Sequence, residues 1–496
     1  MLRLCSLGVG LALVACTPVA EGPPARETGA PTTETGGPPS DSAAPPVPTR
    51  VDAPAAEATV LLMQLDDDGL VTVQGRVEGE LWVDVDPEPG PAEAFRVRVL
   101  EAGEAVWQAS FPGPVLVREF LEAYGDDVGL DLLAGFPQLG HFPLHVPRLG
   151  DELLFELRGD DGVFTEAGRT TWSAIDALEP AAAHDGVVGW ETLHGTGEPS
   201  RRLDLVLLGD GYTEDELDTW RSDADELVAA LVATPPFSSW ADALRVHRVD
   251  VASAESGASF DCDTCSWRDT AFGSIYPLEL VNQFVGTDYG RTSLFQEDQF
   301  AIARAASVVP WDLAFVLVNS DNGGGMAIHV ATAGRDDNWV DTALHELGHL
   351  VGRVGDEYVK DACIRSEALG LPVNVSESPD HVGWTHWLDE PGVGAWEGAY
   401  NCEALYRPVD SCKMRSSGEP FCPVCTEAIV RRLFAYVDPV DAVELVPTDE
   451  GFEVEVTGPW SPELELTIGD TIEVRATLGT DEVRDGPIED VYRWVF

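Results

Sequence analysis

Basic side chains are scarce: 30 Lys and Arg stand against 87 Asp and Glu in 496 residues, a formal net charge of −57. So anionic a chain repels a polyanion, which excludes nucleic acid as a partner. Solubility in a saline exterior accounts for the acidity. Acidic loops can also hold a structural Ca²⁺, but Asp66-Asp67-Asp68-Gly69 lacks the full spacing of a calcium loop. Long apolar runs are missing as well. Residues 4–14, after Arg3, are apolar but too few to cross a bilayer as a mature helix, and no other run is long enough.

What that short run does resemble is an export signal. Leu13-Val14-Ala15-Cys16 is similar to the bacterial lipobox, and the resemblance implies cleavage after residues 1–15 and lipidation of Cys16. The membrane then enters only through a lipid anchor at Cys16, at the cell envelope or cell surface. The alternative is an ordinary secreted protein that loses this segment. Residues 16–59 are rich in Pro, Thr and Gly, cannot bury enough apolar surface to fold, and read as a disordered tether.

At this length two or three domains are expected. Residues 60–180 alternate apolar and polar in LVTVQGRV, ELWVDVD and FRVRVLE, the pattern of an N-terminal β-sandwich. His141 and His145 lie there in GHFPLHVP; the flanking prolines argue against a helix, and both read as loop residues. Residues 185–438 alternate strand and helix. RLDLVLLGDGY is an apolar strand, and Thr213 with Glu216 has capping-box spacing for the helix that follows. MAIHVATAG reads as an antiparallel edge strand able to hold an extended peptide by strand addition, with His329 as a lining or core residue. Residues 440–496 return to alternation as a small C-terminal β module.

Nine cysteines are present. With Cys5 in the signal and Cys16 acylated, an odd number remains, so one thiol is left over from any set of disulfides, the default outside the cell. The pairs Cys262/Cys265 and Cys422/Cys425 offer a structural zinc site instead, though they lie far apart in sequence.

The chemistry concentrates in DTALHELGHLVGRVGDEY, residues 341–358. A helix from about Asn338 puts Val340, Leu344, Leu347 and Val351 on one apolar stripe. His345 and His349, one turn apart, can then meet one Zn²⁺. Glu346 is turned about 100° from its neighbour, too far to be a ligand but placed to act on a water as general base. Gly352 can take a left-handed conformation and end the helix, so that Asp356 or Glu357 reaches the third coordination position. An amphipathic helix that happens to carry two histidines is the plainer account, and the Gly-turn-carboxylate tail argues against it.

Three segments together, LLGDGYT at 207–213, HELGHLVGRVGDEY at 345–358 and CKM…FCPVC at 412–425, resemble the bacterial IgA-peptidase family of zinc metallopeptidases. The resemblance implies an α/β zincin-like catalytic domain with a mixed twisted sheet and an active-site helix, His345 and His349 as zinc ligands and Glu346 as base. It also implies that Met414 takes the place of the methionine turn of metzincins. The metzincin third ligand would fall on Gly355; the carboxylate next to it, Asp356, is favoured over Glu357 for its short reach. No tyrosine follows Met414 at metzincin spacing, so the oxyanion stabiliser is unassigned.

The function these features imply is a secreted, lipid-anchored zinc endopeptidase acting on extracellular protein or peptide substrates. Two rivals remain at this point. One is a surface binding protein with a vestigial zinc site, and the other is a zinc amidase acting on cell-wall peptides.

Overall fold

The Leu203–Asp210 strand carries an apolar run from Leu205 to Leu208, and in the computed structural model it is buried throughout its length, Asp204 and Asp210 included. Such a strand belongs at the centre of a sheet covered on both faces. The structure describes residues 2–4, 12–14, 49–50, 56–66, 69–78, 82–83, 94–111, 141–159, 162–261, 266–276, 294–327, 329–359, 363, 371–448, 451–460, 462–468, 471–486 and 488–495.

The six-stranded sheet runs in the order Val187–His194, Leu244–Val251, Leu203–Asp210, Leu313–Val318, Ala331–Gly334, Gly325–Ala327. The four strands from 244–251 to 331–334 are parallel, and both edge strands are antiparallel. This is a mixed α/β sheet. Val206, Leu208, Val316 and Val318 meet the Gln299–Ala306 helix on one face. The other face takes the Leu217–Leu231 helix, whose Trp220 fills the space that a side chain at Gly209 would need. Thr213 N–H and Oγ1 both donate to Glu216 Oε2 at that helix's start.

Residues 55–437 with 482–485 make one compact unit, so the segments read as separate domains on either side of residue 180 are joined. The Ala56–Leu65 strand explains why. Its centre does not alternate: Val60 and Leu62 enter the core of the six-stranded sheet, while Leu61 and Met63 enter a second core with Phe95, Phe142 and Phe155. That second core lies between the sheet of the Ala56–Leu65, Val71–Val77 and His141–Pro147 strands and the sheet of the Phe95–Glu101, Glu104–Phe111, Glu152–Arg158 and Phe164–Thr171 strands.

The other unit holds residues 1–54, 438–481 and 486–496. Ala442–Thr448 pairs with Gly451–Thr457, and Glu463–Ile468, Thr471–Leu478 and Ile488–Val495 form an antiparallel meander. Leu2–Leu4 and Ala12–Val14, within the expected signal, and Thr49–Arg50, within the expected tether, pair with strands of this unit. Cys16 and the rest of the tether up to residue 55 lie outside the described residues. Among the described residues no helix is long and apolar enough to cross a membrane.

Candidate metal centre and active site

The Trp339–Gly352 helix carries the site. Leu344, Leu347 and Val351 are buried as the stripe requires, whereas Val340 is half-buried and Trp339 and Ala343 take the inner places beside it. The helix does not end on a left-handed Gly352. Arg353 takes that conformation, with φ 50° and ψ 33°. Gly352 is used differently: a Cβ there would lie 2.6 Å from Ile429 Cγ1, so its missing side chain lets the Pro423–Leu433 helix approach. The left-handed turn therefore falls to a residue that adopts it at some cost.

His345 and His349 converge, with their Nε2 atoms 3.0 Å apart. Asp356 Oδ1 lies 3.0 Å from the first and 3.3 Å from the second. Each ring donates its Nδ1–H to a backbone carbonyl, His345 to Lys413 at 2.9 Å and His349 to Val354 at 2.6 Å. In the neutral rings both Nε2 lone pairs, and a carboxylate oxygen, therefore face one another with no hydrogen between them. Three acceptors at this separation need a cation. Tetrahedral zinc, with bonds of about 2.0–2.1 Å, would hold such atoms about 3.3 Å apart, so the residues fit that ion. With protons alone, burial lowers His349 but Asp356 more than offsets it, lifting the imidazole to about 9. Burial likewise works against the Asp356 carboxylate, and the two imidazoles outweigh it, holding its pKa well below the usual range. The side chains of His345, His349 and Asp356 keep 16%, 18% and 21% of their surface exposed, so the cluster opens to solvent.

Asp356 and Glu357 part company. Glu357 is wholly buried and turns towards Cys422 and Cys425, where burial first and then Cys412 push it up to about 8. Asn374 fixes this split: it accepts from Gly355 N–H, and its Nδ2 donates to Gly355 O and to Glu357 Oε1. Glu357 N–H donates to Met414 O at 2.7 Å. Met414 is fully buried, and its sulfur occupies the space beside Gly348, where a Cβ would come within 2.8 Å. It thus packs beneath the helix turn between the two histidines. Nothing in the sequence pattern marks Asn374 or the Lys413 carbonyl, because both act through hydrogen bonds to backbone or ring nitrogen rather than through a motif.

Glu346 is 7% exposed. Burial raises its pKa, and the two imidazoles work in the opposite direction. Its carboxylate lies against Gly325, where a Cβ would be 2.6 Å from Oε1. The sheet edge here differs from the single strand expected of MAIHVATAG. Gly325–Ala327 is the antiparallel edge strand, and Ala331–Gly334 turns back to pair parallel with Leu313–Val318. His329, between them, stacks on Phe142 at 5.2 Å.

His141 and His145 are not loop residues: both lie on the His141–Pro147 strand. His141 stacks on Phe300 at 4.3 Å and His145 meets the edge of Trp311 at 4.4 Å. Pro143 lies opposite Leu62 in an uninterrupted ladder, and among the described residues its strand pairs only with the Ala56–Leu65 strand, an edge position of the kind that tolerates proline. Asp66 accepts the Leu70 N–H in its own turn; Asp67 and Asp68 lie outside the described residues.

Of the aromatic residues after the helix, Trp384 and Trp387 are buried packing, the latter donating to Glu427, while Trp396 is exposed. Cys363 and Cys402 form a disulfide; Cys412, Cys422 and Cys425 are free and buried; Cys262 and Cys265 lie outside the described residues. In LLGDGYT, the Asp210 carboxylate accepts from Ser253, Thr270, Phe272 and Ser274, and Tyr212 donates to Asp223. That motif anchors loops and takes no part in the cluster.

Residues 192–391 match the model of the family described as IgA Peptidase M64. The match takes in LLGDGYT and the whole of the 345–358 segment and stops before Cys412. No curated protein matches the chain.

Proposed function

We propose, from the premise that the 192–391 segment belongs to the IgA Peptidase M64 family, that this chain is a zinc-dependent endopeptidase of zincin-like architecture. A peptidase acts on protein or peptide; the finer reading is an exported enzyme, held to the cell envelope through Cys16, that cuts extracellular proteins. The export reading rests on the apolar run and lipobox-like residues at the start of the chain. The zinc reading rests on one observation above all: His345 Nε2, His349 Nε2 and Asp356 Oδ1 converge on a common centre, and in the neutral rings, whose Nδ1–H groups are taken by Lys413 O and Val354 O, both Nε2 lone pairs face it. Two imidazoles and a carboxylate suit zinc and leave a fourth position open.

A zinc ion held there would supply Lewis acidity, polarising the scissile carbonyl and acidifying a water. The chain supplies the rest. Lys413 O and Val354 O fix both rings in the Nδ1–H tautomer and turn the Nε2 lone pairs inward. Glu346, one residue from a ligand, takes the proton from the attacking water and returns it to the leaving amine. Among the described residues Gly325–Ala327 is an edge strand, and the backbone groups of its outer side would receive an extended substrate running beside Glu346.

Glu346→Gln tests the assignment. Casein or peptide hydrolysis should fall about 10²- to 10⁴-fold with bound metal unchanged. Turnover that survives the substitution, or wild-type turnover that a chelator does not abolish and zinc does not restore, overturns it.

A further inference from the structure

Glu357, Cys412, Cys422 and Cys425 gather in a second cluster, every member buried to within 4% exposure. We propose that these four residues bind a second divalent cation, zinc by its preference for thiolate, in a closed structural site separate from that of His345, His349 and Asp356.

The distances carry the proposal. Cys412 Sγ and Cys425 Sγ are 3.9 Å apart; Glu357 Oε1 lies 3.2 Å from Cys425 Sγ and 3.9 Å from Cys422 Sγ. A tetrahedral zinc with bonds of about 2.3 Å to sulfur and about 2.1 Å to oxygen sets its ligands about 3.8 Å apart for two sulfurs and about 3.6 Å for sulfur and oxygen. The four donor atoms all lie within 4.8 Å of one another.

Two plainer accounts fit less well. A disulfide needs its sulfurs at about 2.05 Å, far inside the separation seen, and would still leave one thiol beside a carboxylate. Simple buried thiols leave the Glu357 carboxylate in a dry pocket with Oε2 unpartnered, the kind of buried polar atom that a native core avoids.

The backbone is also arranged for anionic sulfur. Cys422 N–H donates to Cys412 Sγ at 3.3 Å, and Cys425 N–H donates to Cys422 Sγ at 3.4 Å. Cys422 is the N-cap of the Pro423–Leu433 helix, where the helix dipole favours a thiolate. Arg407 adds positive field at Glu357.

Such an ion would clip together the two stretches that feed the first site. Glu357 follows Asp356 directly, and Cys412 precedes Lys413, whose carbonyl orients His345. Its loss should therefore weaken metal binding at the first site about 10- to 100-fold, the usual cost of disturbing the outer shell of a metal ligand.

The test uses the full chain and Zn²⁺ or Co²⁺ as probe. The wild type should hold two ions, one for each cluster, and its cobalt form should show sulfur-to-cobalt charge-transfer absorption in the near ultraviolet. His345→Ala with His349→Ala should remove one ion and keep that absorption; Cys425→Ser should abolish the absorption. One ion in the wild type with no charge-transfer band overturns the proposal, whether thiol titration then finds three free thiols or a disulfide. Should Cys425→Ser fail to fold, the cobalt spectrum of the double histidine variant decides alone. Because the readout is metal content and sulfur ligation, the result is independent of whether the first site hydrolyses peptides.

Discussion

His141 and His145 are as far apart in sequence as His345 and His349, but the two pairs serve different ends. On the His141–Pro147 strand four residues advance the chain about 13 Å, so the rings stand on one face without meeting, and each packs on its own aromatic neighbour. On the Trp339–Gly352 helix four residues advance it about 6 Å, and the Nε2 atoms close to 3.0 Å. Spacing becomes chemistry only through the period of the element that carries it. The second difference lies in the other nitrogen. Carbonyl acceptors at Lys413 and Val354 fix the helical pair, whereas His141 Nδ1 and His145 Nε2 are buried without a partner.

The contrast breaks if the strand pair proves to bind metal. His349→Ala or Asp356→Ala should weaken retention of the active-site ion by more than about 100-fold, beyond the loss typical of outer-shell changes, and peptide hydrolysis should vanish with it. His141→Ala with His145→Ala should leave metal content and turnover within about twofold, while costing about 1–3 kcal/mol of stability through lost packing on Phe300 and Trp311. Metal analysis and hydrolysis assays on both sets decide it. Equal metal loss from the two sets would remove the distinction.

A buried carboxylate, Glu346, beside an edge strand is a further thing the helical pair has and the strand pair lacks. Gly325→Ala places a methyl 2.6 Å from Glu346 Oε1 and 2.7 Å from Thr332 O, so the carboxylate or the edge strand must move. A displacement near 1 Å at a reacting group costs on the order of 100-fold, and kcat should fall about 10- to 100-fold with zinc content unchanged. Unaltered kcat would mean that Glu346 does not work from this position.

Much of this was legible in the residues and some was not. The buried central strand is legible in the apolar run from Leu205 to Leu208, and the Trp339–Gly352 helix in its stripe and paired histidines. The prolines around His141 argue for a loop because Pro cannot donate to a ladder, yet among the described residues Pro143 sits on a strand paired along one side only, where proline is tolerated. The separate sandwich and peptidase segments come together because TVLLM in the first strand is apolar on both faces, a feature visible in the sequence but outvoted by the alternation around it. Gly352 had the right chemistry for a helix end, but the Pro423–Leu433 helix, some seventy residues further along the chain, claims it for close packing. Asp356 and Glu357 could not be told apart from spacing, since their opposite directions depend on Asn374 and on three distant cysteines.

A smaller effect is expected under the helix. Gly348→Ala sets a Cβ 2.7 Å from Phe421 and 2.8 Å from Met414 Sδ. Overpacking of this kind costs about 1–3 kcal/mol, read as a lowered midpoint in thermal or denaturant unfolding. Gly348→Ala combined with Met414→Ala should recover part of that loss if the thioether is the obstacle. A double variant no better than the sum of the single ones would place the strain at Phe421 instead.

The gentlest test uses pH and the histidines that stay out of the site. Burial lowers His145 and His329 from 6.5 to about 4, with Trp311 and Phe142 as their ring neighbours. Between those values the unfolded chain takes up a proton that the folded chain refuses. Each group therefore contributes stability that is present in full above about 6.5 and is lost as pH falls through that window towards 4. Protonation within the His345, His349 and Asp356 cluster adds its own acid sensitivity, but equally in proteins that differ only at residue 145. His145→Phe keeps an aromatic edge against Trp311 and removes the titration, so its thermal midpoint should fall less than the wild type's between neutral pH and pH of about 5. Parallel midpoint curves would mean that His145 reaches solvent when protonated, and that the strand pair is less sealed than its packing implies.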